Sequence, residues 1–370
     1  MRIAILADPL DNQTAGIHVY TRQLLDALEV VESDNIYLVI RLKQQSTFKK
    51  LQEVPLAMPP LYLGGRANRL FWQLPSVLRK LDVDVVVELA HFGPFCLPPS
   101  IMRVTVIHDL TPLLFPHWHR FHSQWLQRLM LPAIMRKATA VLTNSLATSR
   151  DLLLRFPFLA GKSQMIYPGA DLFFKPAVDK SILAQYGITI PYFLFTGTIE
   201  PRKNLMGLLD AFALLRQSTE LPYQLVIAGG KGWKSRKFHQ TWLKHPNKSD
   251  IKLTGYVPKD HLNALYSSAL AFVFPSYYEG FGLPLVEAMR CGCPVISSDR
   301  GSLSEVGGRA VMYVDPDNPA LLATAMKELA ENETVRKKMS DQGLLQEQRF
   351  RWAETALLFD QWMTKLGKQS

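Results

Sequence analysis

Residues 272–287, FVFPSYYEGFGLPLVE, leave the chain little conformational choice. Phe272, Val273 and Phe274 end an apolar run of strand type, and Pro275 and Ser276 stop it. Gly280 and Gly282 bracket Phe281 in a tight loop. Pro284 stands where a helix begins, a position that tolerates its missing N–H. That helix runs to about Arg290, and Gly292 ends it. A glycine loop feeding a helix N-terminus is an anion site, because free backbone N–H groups and the helix dipole converge on it. Glu279 and Glu287, eight positions apart, frame the loop. A bare phosphate cradle has no use for two carboxylates. A ligand with hydroxyls and a reacting carbon as well as phosphates does.

The same strand, loop, helix unit recurs along the chain. Short Val/Ile/Leu runs predict strands at 2–7, 36–40, 83–89, 103–107, 140–143 and 164–167. A helix starting near Ile17 follows the first, after a loop holding Gly16. A second series of strands is predicted at 192–196, 224–228, 251–253, 271–274 and 295–297, with helices at 204–216, 259–268, 284–290 and 318–332. Continuous apolar runs fit parallel strands buried on both faces. Breaks at Pro168, Gly169 and Pro176 separate the two series. The reading is therefore α/β, two doubly wound Rossmann-like domains at 1–172 and 173–350, which a length of 370 residues suits. Residues 335–366 read as helical, with Trp352, Leu357, Phe359 and Trp362 as apolar anchors.

Ligands of such folds gather beyond the carboxyl ends of the strands. His91, His108, Asp109, Asn144 and Ser145 fall there in the first series. In the second, Gly197 and Thr198 are followed by Arg202 and Lys203 at a helix start that Asn204 can cap. Two fixed cations beside a helix N-terminus can clamp a diphosphate without a metal. Gly229 and Gly230 allow close backbone approach, Lys231 can reach a ligand, and Trp233 reads as packing. Two Asp-x-Asp pairs are poor metal candidates. Asp82 and Asp84 precede their strand, and Asp315 and Asp317 read as a turn before the Asn318 cap.

No apolar run reaches the ~18 residues needed to span a bilayer, and the acidic, short N-terminus is not a signal peptide. A cytoplasmic location is the expectation. Cys96, Cys291 and Cys293 suit a reducing compartment, and no second pair completes a zinc site. The net charge of +10 is scattered, with no nucleic-acid module. It points to a phosphorylated small molecule or an anionic membrane face. Residues 117–137 carry Trp125, Leu126, Leu129, Met130 and Ile134 at helical spacing. They read either as a helix packed on the sheet or as a basic–aromatic face on a membrane.

The string from Pro275 to Ser298, with GTIEPRKNL, HDLTPLLFP and GGKGW, resembles the retaining nucleotide-sugar glycosyltransferases of family four, the GT-B type. The resemblance covers most of the chain. It implies two Rossmann-like domains facing each other across a cleft, with residues 351–370 crossing back to the first. The first domain is expected to bind the acceptor. The second is expected to bind the donor: Arg202, Lys203, Gly197, Phe281, Gly282 and Leu283 at the diphosphate, Glu287 at the ribose, Tyr256 and Val257 at the base. Glu279 and His108 are expected at the donor sugar, with Gly16, Asp109 and Lys231 nearby. The first loop departs from the pattern, because only Gly16 stands where the family carries a glycine pair. The mannosyltransferase branch is most similar, implying GDP-mannose as donor, no cofactor or metal, and a glycan or polyprenyl-linked acceptor at the inner face of the plasma membrane. A UDP-sugar donor, an epimerase and a non-catalytic nucleotide-sugar binder are the alternatives.

Overall fold

A computed structural model describes residues 1–12, 16–43, 45, 47–91, 93–119 and 121–368. The chain forms two compact units. The first comprises Met1–Leu113, His122–Gly169 and Arg351–Ser370; the second comprises Leu114–Phe121 and Ala170–Phe350.

The first unit holds seven parallel strands: β1 (Arg2–Leu6), β2 (Ile36–Arg41), β3 (Gln52–Pro55), β4 (Val85–Glu88), β5 (Met102–Ile107), β6 (Ala140–Thr143) and β7 (Ser163–Met165). Their order is β3-β2-β1-β4-β5-β6-β7. The order reverses between β1 and β4, which pair in register, Leu6 beside Glu88. Strands β4 (VVVE) and β6 (AVLT) are buried throughout, as parallel strands covered on both faces are. The helix Trp352–Lys368 belongs to this unit and lies on the helix Gly16–Leu28. Trp352, Ala356, Phe359, Met363 and Leu366 recur every three or four residues and enter the same core as Leu24 and Leu25. Asp360 locks the helix in place, accepting hydrogen bonds from Ser33, Asn35 and Tyr37 at 2.5, 2.9 and 2.7 Å.

The second unit holds six parallel strands: β8 (Tyr192–Thr196), β9 (Gln224–Ala228), β10 (Ile251–Gly255), β11 (Ala271–Phe274), β12 (Val295–Ser297) and β13 (Val311–Tyr313), ordered β10-β9-β8-β11-β12-β13. Here the reversal lies between β8 and β11. Asn204 caps the helix Leu205–Ser218 as its spacing predicts, accepting from the Gly207 N–H. Asn318 caps Pro319–Glu331 in the same way.

The structure corrects several expectations. Leu357 is exposed, because it sits one position past the apolar stripe that Ala356 belongs to. The long helical stretch breaks into Glu333–Gln346, a short turn, and Trp352–Lys368. The helix read from residue 117 starts at Phe121, after a separate turn, Pro116–Trp118. That helix buries Leu131, Ile134 and Met135 but leaves Trp125 and Leu129 about three-fifths exposed, at 59% and 61%. The side chain of Leu126 lies outside the described residues. Leu114–Phe121 packs with the second unit. The Trp118 ring stacks on Tyr277 at 5.7 Å, Phe115 meets Tyr278 at 5.3 Å, and Trp233 donates to the Trp118 carbonyl at 2.7 Å.

Candidate active site

The strand-to-loop junctions after β8 and β11 bring a charge cluster together. The loop after β8 tightens into the turn Pro201–Lys203, which aims Arg202 and Lys203 at the loop after β11. Glu279 lies between them. Its carboxylate accepts from Arg202 at 2.5 Å through one oxygen and from Lys203 at 2.6 Å through the other. Arg202 also donates to the Tyr278 carbonyl at 2.8 Å and to Glu200 at 2.7 Å. Lys203 Nζ stands 4.6 Å from the centre of the Phe274 ring. Glu279, Lys203 and Glu200 are all buried.

Burial and pairing compete here. Burial alone pushes the Glu279 carboxyl up, but Arg202 and then Lys203 outweigh it and hold it below the ordinary range. Burial pushes the Lys203 ammonium down, against the pull of Glu279. Glu200 is pushed up by burial in spite of Arg202. The result is a cluster of two cations and two carboxylates, with Glu279 shared by both cations and Glu200 bonded to Arg202.

The loop 279–282 then turns into the helix Leu283–Arg290. Gly282 enters it at φ 103°, the left-handed region, with Pro284 in the first turn. Ser302 holds the loop from behind: its N–H donates to the Glu279 carbonyl at 3.1 Å and its hydroxyl to the Phe281 carbonyl at 2.8 Å. Among the described residues the N–H groups of Gly282 and Leu283 take no partner. Glu287, one turn into the helix, is partly buried. Thr196 and Tyr266 share a hydrogen bond of 2.7 Å, and the Tyr266 hydroxyl reaches Glu287 at 3.3 Å. Burial pushes the Glu287 carboxyl up to about 7; Tyr266 lowers it, and the charge on Asp171 raises it further.

The remaining donor-side candidates stand apart from this cluster or flank it. A Cβ on Gly229 would lie 2.0 Å from the Gly197 carbonyl oxygen, so the close approach that needs glycine is to the neighbouring loop rather than to a ligand. Lys231 is exposed beside Ile199. Tyr256 is 71% exposed and Val257 is buried. Trp233 packs, stacked near His119 at 5.8 Å.

In the first unit, His91 and His108 meet at the ends of β4 and β5, rings 5.6 Å apart. The His108 backbone N–H donates to His91 Nε2 at 2.9 Å, so that nitrogen carries no proton. Burial pushes the His91 imidazole down to about 4. His108 Nε2 lies 2.8 Å from the Leu89 carbonyl, which only an N–H can satisfy. Nε2 of His108 therefore carries a proton, and burial pushes its imidazole down as well. Asp109 accepts from the Thr111 N–H at 2.9 Å and hydroxyl at 2.6 Å, a local turn that starts the helix Thr111–Leu114. Gly16 opens its helix with space around its Cβ position. Asp84 accepts from the Arg2 N–H at 2.7 Å, while Asp315 and Asp317 pair with Arg300 at the surface. Cys291 and Cys293 are buried thiols.

The family model for glycosyl transferases group 1 matches residues 183–346, and that for glycosyltransferase family 4 matches residues 14–173. An O-antigen chain mannosyltransferase B from Escherichia coli is 33% identical over 275 residues, 72% of this chain and 71% of the relative. The chain belongs to glycosyltransferase family 4. The O-antigen chain mannosyltransferase RfbU of Salmonella typhimurium is 26% identical, over 86% of this glycosyltransferase and 88% of the relative. The serotype-specific mannosyltransferase WbdA of Escherichia coli is 28% identical; 72% of this chain matches 34% of that longer protein. Among solved structures, sucrose-phosphate synthase from Thermosynechococcus elongatus aligns over 100% of both chains with TM-score 0.78 at 22% identity. WaaG, a lipopolysaccharide glycosyltransferase, aligns over 97% of this chain and 98% of its own with TM-score 0.74 at 15% identity. These place the two sheets in the GT-B fold.

Sequence reasoning missed three residues that join this cluster and its loop. Glu200 sits inside GTIEPRKNL but reads as an ordinary polar residue. Tyr266 and Ser302 lie 21 residues before Glu287 and 23 residues after Glu279. No local spacing ties either to its partner.

Proposed function

We propose that this enzyme moves mannose from GDP-mannose, with retention and without a divalent metal, to a glycan or polyprenyl-linked acceptor of a cell-envelope polysaccharide. The observation that carries the chemistry is Glu279 shared between Arg202 and Lys203. A nucleoside diphosphate brings two negative charges to a place where half-buried Arg202 and buried Lys203 share the Glu279 carboxylate. On donor binding, Arg202 and Lys203 turn part of their bonding to the diphosphate. Glu279 is left beside the carbon that becomes cationic. Groups fixed in advance then stabilise both developing charges, the strongest catalytic effect open to such a site. The N–H groups of Gly282 and Leu283 add to it, and Glu287 accepts from the ribose hydroxyls.

Transfer proceeds on the front face. The bond between the sugar C1 and the phosphate oxygen breaks, and its electron pair leaves with the diphosphate. The acceptor oxygen bonds to C1 from the same face, and its proton passes to the departing diphosphate. The relatives' names supply mannose as the sugar. The exposed Trp125 and Leu129 support peripheral docking on an anionic membrane, where a lipid-linked acceptor would lie. Liposome co-sedimentation unchanged by Trp125→Glu would count against that docking.

A thermal-shift panel of GDP, UDP and ADP tests the donor. GDP at 100 times its dissociation constant should add about 2.7 kcal/mol. A larger response to UDP would replace GDP-mannose with a UDP-sugar. NMR of the product should show the donor's anomeric configuration kept, and turnover should persist in excess chelator.

A further inference from the structure

Residues 234–252 carry six Lys and Arg and a single acid, Asp250. That acid is already paired with Arg216, outside the stretch, at 3.5 Å. None of the six cations has an ion-pair partner among the described residues. A solvated surface ordinarily intersperses its signs. The helix Glu333–Gln346 does so, setting Glu333 and Asp341 among Arg336, Lys337 and Lys338. A stretch of one sign forgoes such pairs and repels itself, so it calls for counter-charge from outside the chain.

The helix Arg236–Leu243 gives this charge a defined face. At about 100° per residue, Arg236, Lys237, Gln240, Leu243 and Lys244 fall within an arc of about 120°. All five are exposed. The opposite side is anchored. Phe238 is buried, and His245 donates from Nε2 to the Leu209 carbonyl at 3.0 Å while its Nδ1 accepts from the Asn247 N–H at 3.1 Å. Leu243 is 56% exposed among these cations. Beside it Trp242 is half-buried, with Lys248 Nζ 5.2 Å from the centre of its ring. A polyanion in water has no use for an exposed leucine next to a tryptophan. A bilayer does, because its headgroups can be anionic and the layer beneath them is apolar.

We propose that the helix Arg236–Leu243 is a lipid contact of the second unit, its basic face on anionic headgroups and Leu243 entering the acyl boundary. Trp125 and Leu129 belong to a different helix in the first unit, so this contact stands on its own observations. It also goes beyond the transfer reaction, since none of its residues is given a part in donor chemistry. Its attraction is electrostatic between exposed charges, so it weakens as salt rises.

Co-sedimentation of the whole chain with vesicles tests it. Wild type should partition onto vesicles of equal parts phosphatidylglycerol and phosphatidylcholine, and far less onto phosphatidylcholine alone. Arg236→Gln, Lys237→Gln and Lys244→Gln together should weaken that partition about 100-fold, because each basic residue at an anionic surface is worth about fivefold. Arg309, Lys337 and Lys338 are exposed elsewhere on the second unit. Their joint replacement by Gln removes the same net charge and should cost less than about fivefold. Leu243→Ser should cost about tenfold, as a partly inserted leucine would. All these positions are exposed, so the variants should keep the wild-type circular dichroism. Arg236→Gln alone, expected to cost about fivefold, serves if the triple variant is unstable. Equal losses in the two triple variants overturn the proposal, as does equal binding to both kinds of vesicle. Unchanged partition in Leu243→Ser overturns the lipid assignment, because charge alone would then bind any polyanion; capture on dextran sulfate with no vesicle binding does the same. A loss in Trp125→Glu with the first triple variant at wild-type partition overturns it too. A failed GDP panel beside these vesicle results would overturn the donor assignment alone.

Discussion

In the first unit, buried cations are each tied to carboxylates of their own. Arg41 bonds Asp11 at 2.6 Å, Arg69 bonds Asp8, and Arg103 bonds Glu88 at 2.9 Å. In the second unit, Arg202 and Lys203 divide one carboxylate, Glu279, with Glu200 as the outer partner. Both arrangements bring charge out of water, but they answer the cost differently. A closed pair has its best partner already, and an incoming ion gains little by breaking it. A carboxylate shared between two cations answers neither alone, so a dianionic ligand competes with it on better terms. Buried charge is therefore closed in pairs in one unit and shared in the other.

The largest effect should come from breaking a closed pair. Arg41→Met leaves Asp11 and Glu53 buried beside an apolar side chain, with side-chain exposures of 1% and 6%. Loss of one partner in such a site costs about 3–5 kcal/mol. Urea unfolding followed by tryptophan fluorescence should show that loss. A shift below about 1 kcal/mol would mean the two units treat charge alike.

Breaking the shared arrangement should spare the fold and strike turnover. Glu279→Gln keeps the shape of the carboxylate but releases both cations. Turnover should fall about 10²–10³-fold, as for other preorganised electrostatic groups. Affinity for the free nucleoside diphosphate should hold or rise, because Arg202 and Lys203 no longer have a competing anion. Isothermal titration beside steady-state kinetics separates the two. Weaker nucleotide binding with normal turnover would reverse the role given to Glu279.

The smallest effect concerns Glu287, which belongs to neither arrangement. Its carboxyl stands at about 7 in the folded chain, against an ordinary value of 4.5, chiefly through burial. Between these values the folded protein keeps a proton that the unfolded chain has released. The associated stability is complete below pH 4.5 and is lost as pH rises through 7. Partial exposure limits it to about 1 kcal/mol. From about pH 5 to about pH 7.5 the wild type should therefore lose more in Tm than Glu287→Gln does. Parallel curves would show that Glu287 titrates normally.

Much of the second unit is legible in the amino-acid sequence, for a local reason. Its strands, its loops after β8 and β11, and the Asn204 cap all lie within short windows, where periodicity and turn residues act directly. Edge strands are harder. Gln52–Pro55 is polar and ends in proline, so it shows no apolar run, and Val311–Tyr313 is only three residues long. The segment Leu114–Phe121 is not legible either. Its aromatics look like the start of a helix until Tyr277, Tyr278 and Trp233 are seen to receive them.

The place of Trp352–Lys368 in the first unit has a consequence for biosynthesis. Trp352, Phe359 and Met363 complete the core that Leu24 and Leu25 begin. A ribosome delivers those three residues only after every residue of the second unit. Domains usually mature from the N-terminus as they emerge. Here the part made first must wait, its helix Gly16–Leu28 uncovered, until the last segment of its core has been made.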